Sequence, residues 1–193
     1  MADSTTGPAV RREDTRSRIQ EIALELFTEK GYDATSLREI SERLGVTKAA
    51  LYYHFKSKEE IVESMTADHI ARIEALIEWA GDQDSTPEMR REFVRRYMEN
   101  LGISQHFKVM RFLQQNQPAI KNMAKPALWR EAMEKMVQTL TGPGAGAEER
   151  LRVGLALFGL HVSWMLLPED RFSDQERNEA ALATAYDLLE TKS

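Results

Sequence analysis

The sequence predicts an all-α protein in two parts: an N-terminal domain of three helices carrying a helix-turn-helix, and a larger C-terminal helical domain. Three observations lead there. Apolar residues recur at helical spacing along most of the 193 residues, and no period-two strand pattern competes with them. Two capping-box spacings, Ser36 with Glu39 and Ser57 with Glu60, mark helix starts close together. Between them Gly45 is placed to end a helix in the left-handed conformation.

Taken in order, Ile19, Ile22, Ala23, Leu26 and Phe27 follow the rule of an amphipathic helix, closed by Lys30 and Gly31. A second helix runs from about Leu37 to Leu44, with Leu37, Ile40 and Leu44 on its apolar face. Val46 plugs the angle after Gly45, and Thr47 caps a third helix that starts at Lys48. The Ser57–Glu60 box leaves that helix little more than two turns. Lys58 to Ala80 then reads as one uninterrupted helix, about 33 Å long at the usual rise, until Gly81-Asp-Gln-Asp-Ser-Thr-Pro87 breaks it.

A helix as short as the third is useful for what it presents. Here that is Lys48, Tyr52, Tyr53 and His54, flanked by Thr47 and Lys58: hydrogen-bond donors and flat rings. A recognition helix points its N-terminal residues at base edges while hydroxyls and lysines beside it hold phosphates, which makes Lys48 the expected base reader. Leu51 and Phe55, four apart, pack inward. The charge distribution agrees. The chain carries −5, yet Thr35 to Lys58 holds five basic and two acidic residues, net +3, leaving −8 elsewhere. A basic head on an acidic body orients the protein on DNA and limits indiscriminate binding. Arg11, Arg12, Arg16 and Arg18 suit a phosphate-touching arm.

The run Ile19-Gln-Glu-Ile-Ala-Leu-Glu-Leu-Phe-Thr-Glu-Lys-Gly-Tyr, followed by Leu44-Gly-Val-Thr-Lys-Ala-Ala-Leu-Tyr-Tyr-His-Phe-Lys-Ser-Lys-Glu, resembles the N-terminal domain of the tetracycline-repressor (TetR) family of transcriptional regulators, over about residues 15–63. The resemblance implies a three-helix DNA-binding domain, a two-fold dimer on a double-stranded DNA operator, and a divergent helical domain whose small-molecule effector releases the DNA. Residue by residue, the family's phosphate and base contacts fall on Ser36, Arg38, Thr47, Lys48, Tyr52, Tyr53, His54 and Lys58. Ser41 departs from the family's usual alanine; its hydroxyl can bond back to a helix carbonyl. The expected division is a flexible arm over 1–14, the DNA-binding domain over 15–57, a connecting lever helix over 58–80, and an effector-binding and dimerisation domain over 81–193.

The second half reads as helical throughout. Phe93, Tyr97 and Leu101 line one helix; Phe107, Met110 and Leu113 a second, ending before Pro118; Leu128, Ala132, Met136 and Leu140 a third. Gly142-Pro-Gly-Ala-Gly146 follows no strand, so it is a turn rather than a phosphate loop. Residues 148–167 are apolar on nearly all sides and must be covered twice. With 174–190 they are the candidate subunit interface, through Leu155, Phe158, Val162, Leu182, Tyr186 and Leu189. Gly154 and Gly159 suggest close approach of another backbone. The candidate effector wall is Met98, Met110, Trp129, Met133, Met136, His161, Trp164 and Met165, soft or aromatic side chains of the sort that line apolar pockets, with Gln105, Gln114, Gln115 and Asn116 as candidate polar contacts.

Several function classes are set aside. There is no cysteine for a disulfide, a thiolate ligand or a cysteine nucleophile. His69, His106 and His161 lack metal-ligand spacing, and neither metal nor cofactor is expected. No motif of nucleotide binding, zinc hydrolysis or nucleophilic catalysis occurs, so the chain is not expected to be an enzyme. The first residues lack the apolar core of a signal peptide, and the stretch Val153 to Leu167 is too short to span a bilayer, which points to the cytoplasm and away from membranes. The expected function is that of a repressor released from a palindromic operator by a small, largely apolar effector. The alternative is a structural or cell-division DNA-binding protein without an effector.

Overall fold

The computed structural model describes residues 8–101, 109, 112, 116 and 126–190. Among the described residues there are eight helices and no strand: α1 (Pro8–Lys30), α2 (Leu37–Leu44), α3 (Lys48–His54), α4 (Lys58–Gly81), α5 (Pro87–Leu101), α6 (Pro126–Thr141), α7 (Ala147–Leu166) and α8 (Asp174–Leu189). The expected helix through Phe107, Met110 and Leu113 lies outside the described residues.

The chain forms two compact units, Met1–Ala67 with Lys108–Ala124, and Asp68–Phe107 with Lys125–Ser193. The sequence placed boundaries at the two ends of α4. The division instead falls within that helix, because its first turns bury Ile61 and Val62 in the first unit and its later turns bury Ile73, Leu76 and Ala80 in the second. The chain passes between the units three times, so α4 is not the only covalent connection.

The first unit is built on α1, whose Ile19, Ala23, Leu26 and Phe27 are buried together with Ile40, Leu51 and Phe55. The helix begins at Pro8, so half of the stretch expected as an arm is helical. Proline suits that first position because its missing N–H would have had no intrahelical acceptor. Gly31 at φ +93° turns the chain after α1, and the Thr35 hydroxyl reaches back to the carbonyls of Gly31 (2.9 Å) and Leu26 (3.2 Å). Phe112, from the separate stretch of this unit, stacks on Phe27 with centroids 5.2 Å apart and lies 6.0 Å from Tyr32. Its apolar neighbours in sequence gave no indication that it serves the head.

The second unit packs α8 against both α7 and α5, and α6 against α7. Its core is Phe93, Val94, Tyr97, Met98, Met136, Leu140, Leu157 and Leu160, with α8 contributing Ala181, Ala185 and Leu189. Arg90 crosses from α5 to Glu149 at 2.7 Å. A Cβ at Gly159 would meet nothing within 4 Å, and one at Gly154 would meet only Val137 at 3.9 Å, so among the described residues no backbone approaches either glycine.

Candidate nucleic-acid interface

The turn that aims α3 is fully accounted for by local chemistry. At the start of α2 the Ser36 hydroxyl accepts the Glu39 amide while the Glu39 carboxylate accepts the Ser36 amide, and Lys30 pairs with that carboxylate at 2.9 Å. The Lys30 ammonium first, then the Ser36 amide and hydroxyl, hold Glu39 down at about 2. Gly45 closes α2 at φ +73°, a conformation that costs a side-chain-bearing residue about 1 kcal/mol or more. The Val46 amide bonds back to the Ser41 carbonyl (3.0 Å), and the buried Ser41 hydroxyl donates to the Arg38 carbonyl at 2.8 Å. The extra hydroxyl at 41 therefore has a partner in the turn. The Thr47 hydroxyl accepts the Ala50 amide (3.1 Å) and starts α3.

On α3, Leu51 is buried, and Phe55 just beyond its end is buried with the Arg16 guanidinium 4.7 Å over its ring. The opposite face is open: Thr47, Lys48, Ala49 and Ala50 are exposed, and Tyr53 is 62% exposed. Lys48 lies 5.4 Å over the Tyr52 ring and, among the described residues, pairs with no carboxylate. Tyr53 and His54 meet edge to face at 5.3 Å. Arg38 is exposed but pairs with Glu42 at 2.7 Å, and Arg43 with Glu29 at 3.4 Å; such surface pairs are worth about 0–1 kcal/mol.

Lys58 is placed differently from its neighbours. Its ammonium donates to the Tyr32 carbonyl at 2.5 Å, reaches the Asp33 carbonyl at 3.5 Å, and sits 4.4 Å over the Tyr32 ring. The Tyr32 hydroxyl in turn donates to Glu59 at 2.8 Å. Lys58 thus ties the start of α4 to the turn after α1, which its position among basic residues did not reveal. The Ser57–Glu60 box is also half-formed: Ser57 accepts the Glu60 amide (3.1 Å), but the Glu60 carboxylate takes the Lys56 amide at 2.6 Å.

In the second unit four rings from four helices converge: His69 of α4, Tyr97 of α5, Trp129 of α6 and His161 of α7. Tyr97 Oη and His161 Nε2 are 2.6 Å apart and buried. Trp129 meets His161 edge to face at 4.7 Å and stacks on His69 at 5.6 Å. Burial first, and for each a further positive or imidazole neighbour, Arg72 for His69 and His69 for His161, lowers their pKa values to about 4 and about 3. Met98 and Met136 are buried in the same core and Met133 packs against it. Met165 is 56% exposed on the outside of α7 and cannot join them. Met110 and the Trp164 side chain lie outside the described residues, as do Gln105, Gln114 and Gln115. His69 and Tyr97 were missing from the expected wall. A tyrosine on an otherwise apolar stripe was the only available signal. Among the described residues no three candidate metal ligands converge.

The expected subunit face changes as well. Leu151, Leu155, Phe158, Met165 and Leu166 stand exposed along α7 at helical spacing, and Phe158 is 56% exposed. Leu189, at 3% exposure, is core, and Leu182 and Tyr186 pack against that core with Val162 half-buried, because α8 turns its apolar stripe onto α7 and α5 of its own chain. Among the described residues no helix is long and apolar enough to cross a membrane.

A capped helix, a glycine turn and a short exposed helix together make a helix-turn-helix. Residues 19–65 match the family model described as bacterial regulatory proteins, tetR family. The transcriptional repressor KstR2 of Mycolicibacterium smegmatis is 35% identical over 68 residues, 35% of this chain but only 31% of that protein. The transcriptional regulator TtgR of Pseudomonas putida is 28% identical over 86% of this chain and 88% of its own length. The solved TetR-family regulator PfmR of Thermus thermophilus superposes with a TM-score of 0.66 at 28% identity, covering 91% of this chain and 99% of that one. Residues 19–65 thus carry the N-terminal domain of the tetR family, and over most of its length the chain is similar to transcriptional regulators, a solved TetR-family member among them.

Proposed function

We propose that the protein is a repressor that binds a two-fold operator as a homodimer, one α3 per half-site, and leaves the DNA when a small, largely apolar molecule binds the second unit. The observation that carries the DNA reading is the open N-terminal face of α3. There Lys48 stands exposed and, among the described residues, without a carboxylate, while the neighbouring cations Arg38, Arg43 and Lys30 are each paired. Thr47, Lys48, Tyr52, Tyr53 and His54 are the contacts to bases and phosphates, with Arg38 and Ser36 at the flank. Ser36 already donates to and accepts from Glu39, so it meets a phosphate only by sharing its capping bonds. The exposed stripe of α7 is the dimer face, since five large apolar side chains on one helix face favour burial against a copy of themselves. The four-ring cluster is the place where an effector finds polar groups in an apolar core. Such a protein works where the chromosome is, in the cytoplasm.

The test is fluorescence anisotropy with the DNA flanking the protein's own coding region, followed by footprinting. Protection of two half-sites about 34–36 Å apart, or a whole number of helical turns, is expected. Binding with no preference over random duplex would leave only the alternative of a structural DNA-binding protein.

A further inference from the structure

The ring cluster is unlike the rest of its core. Phe93, Met98, Met136, Leu140, Leu157 and Leu160 need only close packing, whereas a buried phenol and imidazole each need a hydrogen-bonding partner to offset lost hydration. Leucine or phenylalanine at 97 and 161 would fill the same space without that requirement. The geometry is also specific. Trp129 has one face covered by the His69 ring at an interplanar angle of 19°, a parallel stack, while His161 stands perpendicular to it at 87° and Tyr97 perpendicular to His161 at 71°. The rings form a corner with a flat wall, Trp129, and a hydrogen-bonding apex, the Tyr97–His161 pair.

We infer that this corner is the recognition end of the effector site and that it takes a flat aromatic molecule bearing a neutral hydroxyl group, which stacks on Trp129 where His69 lies and inserts its hydroxyl between Tyr97 and His161. The inference rests on the reading that the second unit binds an effector, and it names the chemical class. A flat ring replaces an imidazole in a parallel stack at the same spacing; a saturated chain does not. A phenolic hydroxyl donates and accepts, as the Tyr97 hydroxyl does, so it can join the pair without orphaning either partner. A carboxylate only accepts, and would carry a charge into a site whose imidazoles are held uncharged by burial. Met98, Met133 and Met136 supply unbranched side chains that can yield to the rest of the ligand. His69 is on α4 within two residues of the division between the units, so its displacement bears on the helix that both units share.

The probes are 7-hydroxycoumarin, its 7-methoxy ether and coumarin-3-carboxylate, titrated calorimetrically into the full-length protein without DNA, below the pKa of the phenol. The hydroxyl compound is expected to bind at least about tenfold more tightly than either analogue, the loss typical of an unmade buried hydrogen bond. Tyr97→Phe should weaken it by a similar factor. His69→Ala should raise affinity because the internal competitor for Trp129 is gone. Equal or tighter binding of the carboxylate, no binding of any coumarin, or a His69→Ala protein that binds no better than the parent would each overturn the inference. Operator binding is measured separately on the same sample. DNA binding without coumarin binding sinks the ligand class and leaves the regulator intact; coumarin binding as described without DNA binding does the reverse.

Discussion

Two regions of this molecule use polar side chains in opposite ways. In the first unit the hydroxyls, carboxylates and amides around α2 and α3 form caps and turns at the surface, which fixes the backbone and leaves Lys48 and Tyr53 facing outward. In the second unit the polar groups of Tyr97 and His161 are buried and satisfy one another inside an apolar core. The head's polar groups thus hold a turn that faces outward, where on the proposed reading its partner is DNA. The body's polar groups are enclosed, where on the same reading the partner is a small molecule that displaces a side chain.

The largest effect that would break this contrast is loss of assembly. Phe158→Glu sets a charge in the middle of the exposed α7 stripe, and a buried unpaired charge costs several kcal/mol, so sedimentation should show monomer and operator affinity should fall by roughly 100-fold or more. A dimer that persists would move the subunit face elsewhere. Next comes acid. His69 and His161 titrate near 4 and 3 when folded and near 6.5 when unfolded, so between those values the unfolded chain binds more protons and stability falls as pH drops below 6.5. At pH 4 each imidazole should have removed about 3 kcal/mol relative to pH 7. Denaturant titrations across that range should show the slope, and His161→Leu should flatten it; an unchanged slope would mean that the imidazole is not kept neutral by burial.

Phe112→Ala sharpens the contrast from the other side. Its ring is 1% exposed against Phe27 and Tyr32, and removing a buried phenylalanine costs about 3–5 kcal/mol. The loss should appear in the melting of the head, seen by hydrogen exchange of α1, more than in that of α7. The smallest effect belongs to Lys58→Ala. Because its ammonium is held by the Tyr32 carbonyl, it should cost about 1 kcal/mol of stability and change the salt dependence of DNA binding less than the same substitution at Lys48. A salt slope reduced equally by both would show that Lys58 lets go of the turn and takes a phosphate.

These contrasts explain what could be read from the chain itself. The head was legible because its signals are local: Ser36 to Glu39, Gly45, and Thr47 act within four residues of sequence, and each does in the structure what its spacing requires. Ser41 was legible for the same reason, its hydroxyl meeting a carbonyl three residues back. The hold of Lys58 on Tyr32 was not legible because the two are 26 residues apart, and nothing in a basic side chain tells whether it will point out or fold back. The body was legible as helices and illegible as a site. Helical spacing located α5 to α8, but which stripe of α8 is inward depends on α5 and α7, so Leu189 went to the wrong side. The ring cluster draws one residue from each of four helices, and no periodicity within any one of them marks it. Phe112 packs with the head although the sequence around it belongs to the second half, a long-range contact without a local trace.

The central claim is that the open face of α3 reads DNA. It is tested most directly by measuring, at one fixed salt concentration, the affinity of the parent and of Lys48→Ala for the footprinted operator, with the dimer confirmed intact in both. Loss of one good base contact is worth about 1–3 kcal/mol, so the substitution should weaken operator binding by roughly 5- to 150-fold while binding to random duplex falls much less. An affinity for the operator within about twofold of the parent would contradict the account and put the reading face elsewhere on the molecule.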